Sequence, residues 1–260
     1  MLESLKTRGF QILCQSHAEA ILRMDFPEPL AELERAFEGM TLPIEEIIGS
    51  GGGETKWTQR LRRALAELGW SKKNFRIEKT INGEPRESIS HEIDHVRVDT
   101  NGVVALEIEW NNKDPFFDRD LENFKRLHAE GGISVGVIVT RGESLQDEML
   151  HLVRRFAEER QVRSHEDVMR LGLNPTVRQQ ADVARRVAAG ATFSDAWSSC
   201  FVQDKYGQAT THWRKLDHRV LRGVGNPCPL LLIGLPSSIV TFDRTLDVAA
   251  IAASTDDADA

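Results

Sequence analysis

Glu107 and Glu109 stand two residues apart in "LEIEWNNKDPFFDRDL" (106–121), a β-favouring run followed by two asparagines, a lysine and an Asp-Pro break. Side chains alternate along a strand, so Glu107, Glu109 and Asn111 share one face. Leu106, Ile108 and Trp110 share the other, and that apolar set is expected to face the core. Asp94 lies between Ile93 and His95 in the preceding run "HEIDHVRV". Pairing about Asn101-Gly102 puts it a little beyond Glu107 and Glu109, within reach given a bulge or splay. Three carboxylates gathered on one sheet edge repel one another unless a cation joins them, and hard oxygen donors of this kind suit Mg²⁺. Taken alone, the spacing fits a half-buried strand with a wet polar face more simply. Glutamate is a poor strand former, however, and two at alternate positions ask for a reason.

The elements that would position these residues are legible from pattern. In "TKWTQRLRRALAELGW", Trp57, Leu61, Leu65 and Leu68 form one helical stripe, with Thr55 as cap and Gly69 as stop. "NFRIEKTI" alternates up to an Asn82-Gly83 turn, and "HEIDHVRV" and "VVALEIEW" are joined through "DTNG" as a hairpin. After Pro115, Phe117, Leu121, Phe124 and Leu127 recur at helical spacing. "ISVGVIVTR" reads as a fully buried strand, and "LQDEMLHLVRRFAEERQ" as a further helix. The order is helix, three antiparallel strands, helix, strand, helix, which predicts an α/β fold with a mixed β-sheet flanked by helices. The first fifty residues read as helices only, and residues 49–53 as a flexible joint or a loop of close backbone approach. From Ser164 the chain reads as helical to about Trp197 and ends in a strand near Cys228.

Composition restricts the partners. The net charge of −7 argues against a polyanion, but total charge hides local fields. Residues 56–79 carry eight basic side chains against Glu67 and Glu78, and residues 205–222 carry five against Asp217. Solvated helix faces account for such runs, and they also permit nucleic acid. No apolar run reaches membrane-span length, and the N-terminus shows no secretion pattern. Three scattered cysteines, Cys14, Cys200 and Cys228, form no metal spacing and suggest reduced thiols, hence a cytoplasmic protein with no membrane partner.

Asp94, a spacer, then Glu107-Ile-Glu109, in helix–β–β–β–α–β order, resembles the PD-(D/E)xK nuclease core. The runs "HEIDHVRV", "VALEIEWNNKDPFFDRDLENF", "ISVGVIVTRGESLQ" and "TTHWRKLDHRVLRGVGNPCPLLLIGLP" resemble one branch of it, the type II restriction endonucleases of the BglII/BamHI/BstYI type. That resemblance implies a restriction-endonuclease-like fold. It also implies Asp94 and Glu107 as metal ligands, with the main-chain carbonyl of Ile108, for Mg²⁺. Where most of the superfamily has lysine this chain has Glu109, similar to the BamHI-like variant in which a carboxylate serves as general base. The chemistry implied is in-line attack of water on a DNA phosphorus, with the metal supplying the positive charge that a lysine would otherwise give. Glu78 and Asn74 are the candidates for an accessory polar contact.

Further implications concern the DNA. Asn111, Asn112 and Lys113 would lie beside the bases and phosphates next to the cut, with Arg119 in the following helix. "NNKDP" equally suits a strand-to-helix turn. In "TRGESLQ", Arg141, Glu143 and Ser144 are candidate contacts, although Ser144 with Asp147 also fits a capping box. Lys205, Thr210, Thr211 and His212 match the family's late threonine-rich segment, while His212 beside Trp213 reads equally as a packed aromatic corner. A palindromic site, with a GATC core as in the best-known relatives, needs a two-fold protein. A homodimer is therefore expected, through the exposed face of "PFFDRDLENFKRLH", with a cognate DNA methyltransferase as functional partner. The organisation expected is a single nuclease domain over 1–260. It comprises an N-terminal helical segment (1–50), a catalytic core (51–160), a helical and strand extension completing DNA binding (161–245) and a disordered tail (252–260). The competing readings are a PD-(D/E)xK repair or structure-specific nuclease, and a DNA-binding module that has lost its chemistry.

Overall fold

The structure, a computed structural model, describes residues 1–50 and 55–256. Residues 51–54, which include 51–53 of the glycine-rich joint, and 257–260 of the expected disordered tail lie outside the described residues. In chain order the elements are α1 (Glu3–Thr7), β1 (Gln11–Gln15), α2 (Ala18–Met24), α3 (Pro27–Phe37), β2 (Leu42–Pro43), α4 (Ile44–Gly49) and α5 (Lys56–Glu67). Next come β3 (Ser71–Ile81), β4 (Glu84–Asp99), β5 (Gly102–Glu109), α6 (Phe116–Ala129), β6 (Val135–Arg141) and α7 (Glu143–Glu159). The chain closes with α8 (His165–Arg170), α9 (Val177–Ala188), α10 (Phe193–Lys205), α11 (Trp213–Leu221), β7 (Leu230–Leu235), β8 (Val240–Thr241) and α12 (Val248–Asp256). Two compact units result. The first comprises Met1–Glu38, Leu61–Glu143 and Thr211–Leu235, and the second Gly39–Arg60, Ser144–Thr210 and Pro236–Ala260.

The first unit holds a six-stranded sheet in the order β1-β7-β6-β5-β4-β3. β3, β4 and β5 are successive antiparallel partners, β5, β6 and β7 run parallel, and β1 closes the edge antiparallel to β7. The predicted helix, three strands, helix, strand, helix order is therefore present. The β4–β5 hairpin turns one residue earlier than its Asn-Gly signal suggests: Asp99 pairs with Gly102 across Thr100 and Asn101, and an Asp99 oxygen accepts from the Asn101 N–H at 3.2 Å. A short polar side chain bonding the backbone two residues on is what fixes such a turn.

Helices α6 and α11 cover one face of the sheet. Phe117, Leu121, Phe124 and Leu127 of α6 and Trp213, Leu216 and Val220 of α11 pack with Ala105, Ile138, Leu230 and Leu232. Gly136 in β6 lies under α6; a Cβ there would come 2.4 Å from the Phe124 ring, so only glycine lets the helix approach this closely. On the other face Val104, Leu106, Val137, Val139, Leu231 and Ile233 are buried too, and α2 packs on β6 and β7. A central strand in a parallel array has both faces covered. The alternation of β5 therefore does not divide core from water, as its pattern had suggested.

Two expectations for the chain ends change. Residues 1–50 are not all helical, because Gln11–Gln15 forms β1 against β7. Its polar ends and brevity hide it, and its partner lies far along the chain. A catalytic core bounded at 51–160 thus omits two of the six strands, β1 and β7. At the other end, residues 252–256 continue α12 instead of being disordered. Ile251 of that helix lies against Gly49 of α4, where a Cβ would come within 3.0 Å, and that packing holds the segment. The second unit also contains the parallel pair β2–β8 and the ion pair of Arg160 with buried Glu45 at 3.1 Å. Thr55 caps α5 as predicted, accepting from the Thr58 N–H at 3.2 Å.

Candidate active site

The C-terminal end of β5 carries the candidate carboxylates. Ala105, Glu107 and Glu109 lie opposite Gly136, Ile138 and Thr140 of β6, so the acidic pair continues the row that α6 covers. Glu107 is 6% exposed and Glu109 2%, which removes the wet-face reading of these residues. The Thr140 hydroxyl donates to the Glu109 main-chain carbonyl at 2.8 Å and fixes the strand end.

Register places Asp94 differently from expectation. His95 pairs with Leu106 as the last rung of the β4–β5 ladder, so one step further sets Asp94 level with Glu107, not beyond Glu109. On its other side β3 is irregular between Ser71 and Lys73. There Lys72 comes to 3.5 Å from the Asp94 carboxylate, which is 55% exposed. Asp94 is thus the solvent-facing member of the group and Glu107 the buried one.

A third buried carboxylate joins them. Asp120 of α6 is 1% exposed and occupies the helix's core stripe, three residues after Phe117 and four before Phe124. Arg119 is the local cation. Its Nε donates to Asp120 at 2.8 Å, and its Nη2 to Glu109 at 3.4 Å. The guanidinium stacks over Phe116. The second oxygen of Glu109 accepts from the Asn112 side-chain N–H at 2.8 Å.

The electrostatics follow from this crowding. Burial, then the charges of Asp120, Asp94 and Glu109, push the Glu107 carboxyl up to about 9, against the pull of Arg119. Burial likewise pushes Glu109 and Asp120 up, and they share a hydrogen bond. Asp120 Oδ2 has no hydrogen-bond partner of its own, a buried acceptor that a proton on the coupled carboxyls would serve. One guanidinium does not neutralise this many carboxylates in a low-dielectric setting, so a proton or a further cation belongs in the cluster.

That excess of hard oxygen donors fits a divalent ion. Among the described residues no three His, Cys, Asp or Glu side chains are already placed around a common metal position. Asp94 and Glu107 with the Ile108 carbonyl form a smaller set that needs only two side chains.

The other predicted residues differ in exposure and in what holds them. Asn112, Lys113 and Arg119 are exposed at the end of β5 and the start of α6, and Asn111 is half-buried. Glu143 is half-buried, with Arg214 at 3.9 Å. In the second unit, Ser144 accepts from the Ser237 N–H at 3.2 Å. Lys205 donates to the Ser50 carbonyl, and the Thr210 hydroxyl donates to the Gly207 carbonyl. Arg141, Thr211 and His212 are fully buried, which corrects their assignment as DNA contacts. Arg141 donates to the carbonyls of Trp110 at 3.0 Å and Thr211 at 2.6 Å. It holds the chain around the site. Glu78 is the clearest misassignment. It pairs with Ser88, six residues before Asp94 and so ~20 Å away along β4 at ~3.3 Å per residue, and it is tied to Arg76 at 2.7 Å. Asn74 lies nearer, opposite Glu92, with its side-chain oxygen accepting from Ser90 at 2.6 Å.

Asp120 was missed in the sequence, although a signal existed: an acidic residue on an apolar helical stripe has to be buried. The basic stretch at 205–222 is also less free than its count suggests. Arg219 pairs with Asp118 at 2.8 Å and Asp114 at 3.4 Å, and Lys215 approaches Asp114 at 3.7 Å.

Among the described residues no helix is long and apolar enough to cross a membrane. No individually curated protein matches the chain. The family model described as "Restriction endonuclease BglII/BglIII" matches residues 10–235, a span that runs from the edge strand β1 to the end of β7. The mixed sheet flanked by helices is the core expected from the resemblance, and enzymes of this type bind DNA and generally use a divalent metal. With the match covering most of its length, the chain belongs to the BglII/BglIII restriction endonuclease family and is a type II site-specific deoxyribonuclease.

Proposed function

We propose that this endonuclease makes Mg²⁺-dependent double-strand cuts at a short palindrome with a GATC core. Asp94, Glu107 and the Ile108 carbonyl would hold the ion, and Glu109 would act as general base. The observation that carries the reading is the burial of Glu107, Glu109 and Asp120 around a single guanidinium. Bound Mg²⁺ would supply positive charge at the scissile phosphate, where this chain has Glu109 at the position of the superfamily's lysine.

The chain's own groups do the rest. Glu109 is held through both oxygens, by Asn112 and Arg119, so its carboxylate is oriented before substrate arrives. Burial raises its proton affinity, so a cation beside it would be needed to keep it ionised and able to take a proton from water near neutral pH. Arg119, half exposed at the edge of the same cluster, would meet phosphate. Asn111 and Lys113 would contact DNA beside the cut, with Glu143, Ser144, Lys205 and Thr210 as further contacts. Residues 161–245 would complete the DNA-binding surface. A two-fold site implies a homodimer through the exposed face of α6, and a cytoplasmic setting with a cognate methyltransferase that protects the host site.

Incubating plasmid with the protein and Mg²⁺ tests the proposal. Discrete bands whose sequenced ends share one palindrome support it. Smearing or flap-specific cleavage would replace it with a repair or structure-specific nuclease, and retarded but uncut DNA with a binding module.

A further inference from the structure

Asn112 has the residue type and position of a base-reading side chain, yet its side-chain N–H and both its main-chain groups are already engaged by the protein. Its side-chain N–H donates to Glu109 Oε2 at 2.8 Å. Its main chain is clipped to Thr211 twice: the Thr211 N–H donates to the Asn112 carbonyl at 2.8 Å, and the Asn112 N–H donates to the Thr211 hydroxyl at 3.1 Å. Thr211 is itself immobilised, since it is fully buried and Arg141 ties its carbonyl to that of Trp110. A continuous set of hydrogen bonds thus runs from a buried arginine, through a buried threonine and an exposed asparagine, to one oxygen of the candidate base.

We propose that Asn112 is a positioning residue for Glu109 and not a reader of bases, with Thr211 and Arg141 as the anchor that keeps its amide in place. The proposal rests on the general-base reading of Glu109. A carboxylate has two oxygens and a rotatable end. Fixing Oε2 sets the rotation of the carboxylate and with it the position of Oε1, which accepts from Arg119 at 3.4 Å. An asparagine suits the task because it donates without adding charge to an acidic cluster. The adjacent Asn111 and Lys113 remain available to DNA.

The test is to measure cognate-DNA affinity in Ca²⁺ and single-turnover cleavage after Mg²⁺ addition, for the full-length protein and its variants. Asn112→Ala is expected to slow cleavage of the bound complex about 10–100-fold while affinity changes by less than about threefold. Asn112→Asp has the same shape but no N–H to donate, and should slow cleavage at least as much. Thr211→Val removes the hydroxyl that accepts from the Asn112 N–H and should slow cleavage by a smaller factor, again with affinity kept. Loss of affinity at an unchanged rate for the saturated Asn112→Ala complex would make Asn112 a DNA contact and overturn the inference. So would an Asn112→Asp variant that cuts at the wild-type rate. Glu109→Ala is run alongside. If it cleaves normally, the reading of Glu109 falls and the inference with it; if it is inactive while Asn112→Ala is unaffected, only the inference falls.

Discussion

Glu109 at the end of β5 and Asp120 in the early turns of α6 face one another and share one guanidinium, that of Arg119. Neither residue is on the surface, and neither can be ionised beside the other without cost. A strand end and the early turns of a helix, with Glu109 and Asp120 eleven residues apart in sequence, have been folded into a charge problem that a proton or a metal ion resolves. The chemistry proposed for the protein follows from that arrangement.

Loss of the Glu107 carboxylate should end cleavage without ending recognition. Glu107→Ala is expected to show no detectable cutting in Mg²⁺, with cognate affinity in Ca²⁺ largely kept. A variant that still cuts would take Glu107 out of the metal site.

Glu109→Lys would restore the residue most of the superfamily uses, but an inactive enzyme is expected. The position is 2% exposed, and a lysine there would meet Arg119 and lose its place beside Asn112. Normal cutting by this variant would end the general-base role.

The buried carboxyls should make the metal-free protein less stable as pH rises. Glu107, raised to about 9, and Glu109, also raised, keep protons in the folded state that the unfolded chain has already released. The native state therefore binds more protons than the unfolded one between their ordinary range and about 9, and stability falls across that interval. His212 and His95, pushed down by burial, act in the opposite sense, but only below their ordinary value of 6.5. The thiols of Cys14, Cys200 and Cys228, raised by burial, add a fall of the same sign as pH nears about 9. Melting curves in chelator between about pH 7 and about pH 8 therefore isolate the carboxyls. The midpoint should drop over that window, less so for Asp120→Asn, and Ca²⁺ should raise it more at the alkaline end. A flat profile would mean the cluster is not desolvated.

Arg141→Ala should harm stability instead of sequence choice. Two main-chain carbonyls lose the donors they have in the folded protein, at about 1–3 kcal/mol for each buried acceptor left unpaired. Denaturant unfolding measures this. A variant as stable as the wild type but with altered site preference would return Arg141 to the DNA interface.

Glu78→Ala is expected to cut at the wild-type rate, because the β3–β4 register holds Glu78 far from Asp94. A large loss of cleavage with normal folding would reopen its accessory role.

Local pattern was enough for the elements and for part of the site. The apolar stripes at Trp57, Leu61 and Leu65 and at Phe117, Leu121, Phe124 and Leu127, the Asn82-Gly83 turn, and the alternation leading to Glu107 and Glu109 all act over a few residues. The chain states them without help from elsewhere. Tertiary structure decided what those residues face. Burial of Glu107 and Glu109 depends on β5 lying between β4 and β6 beneath α6, which no alternation within β5 reveals. β1 exists because β7, more than two hundred residues later, offers it an edge. Arg141 and Thr211 have the composition of a DNA-reading segment, yet the carbonyls of Trp110 and Thr211 turn the arginine inward. Asp120 became part of the site only when the helix stripe carrying it was laid against the strand end. Periodicity is a property of neighbours in sequence, whereas charge, desolvation and hydrogen-bond partners are properties of neighbours in space.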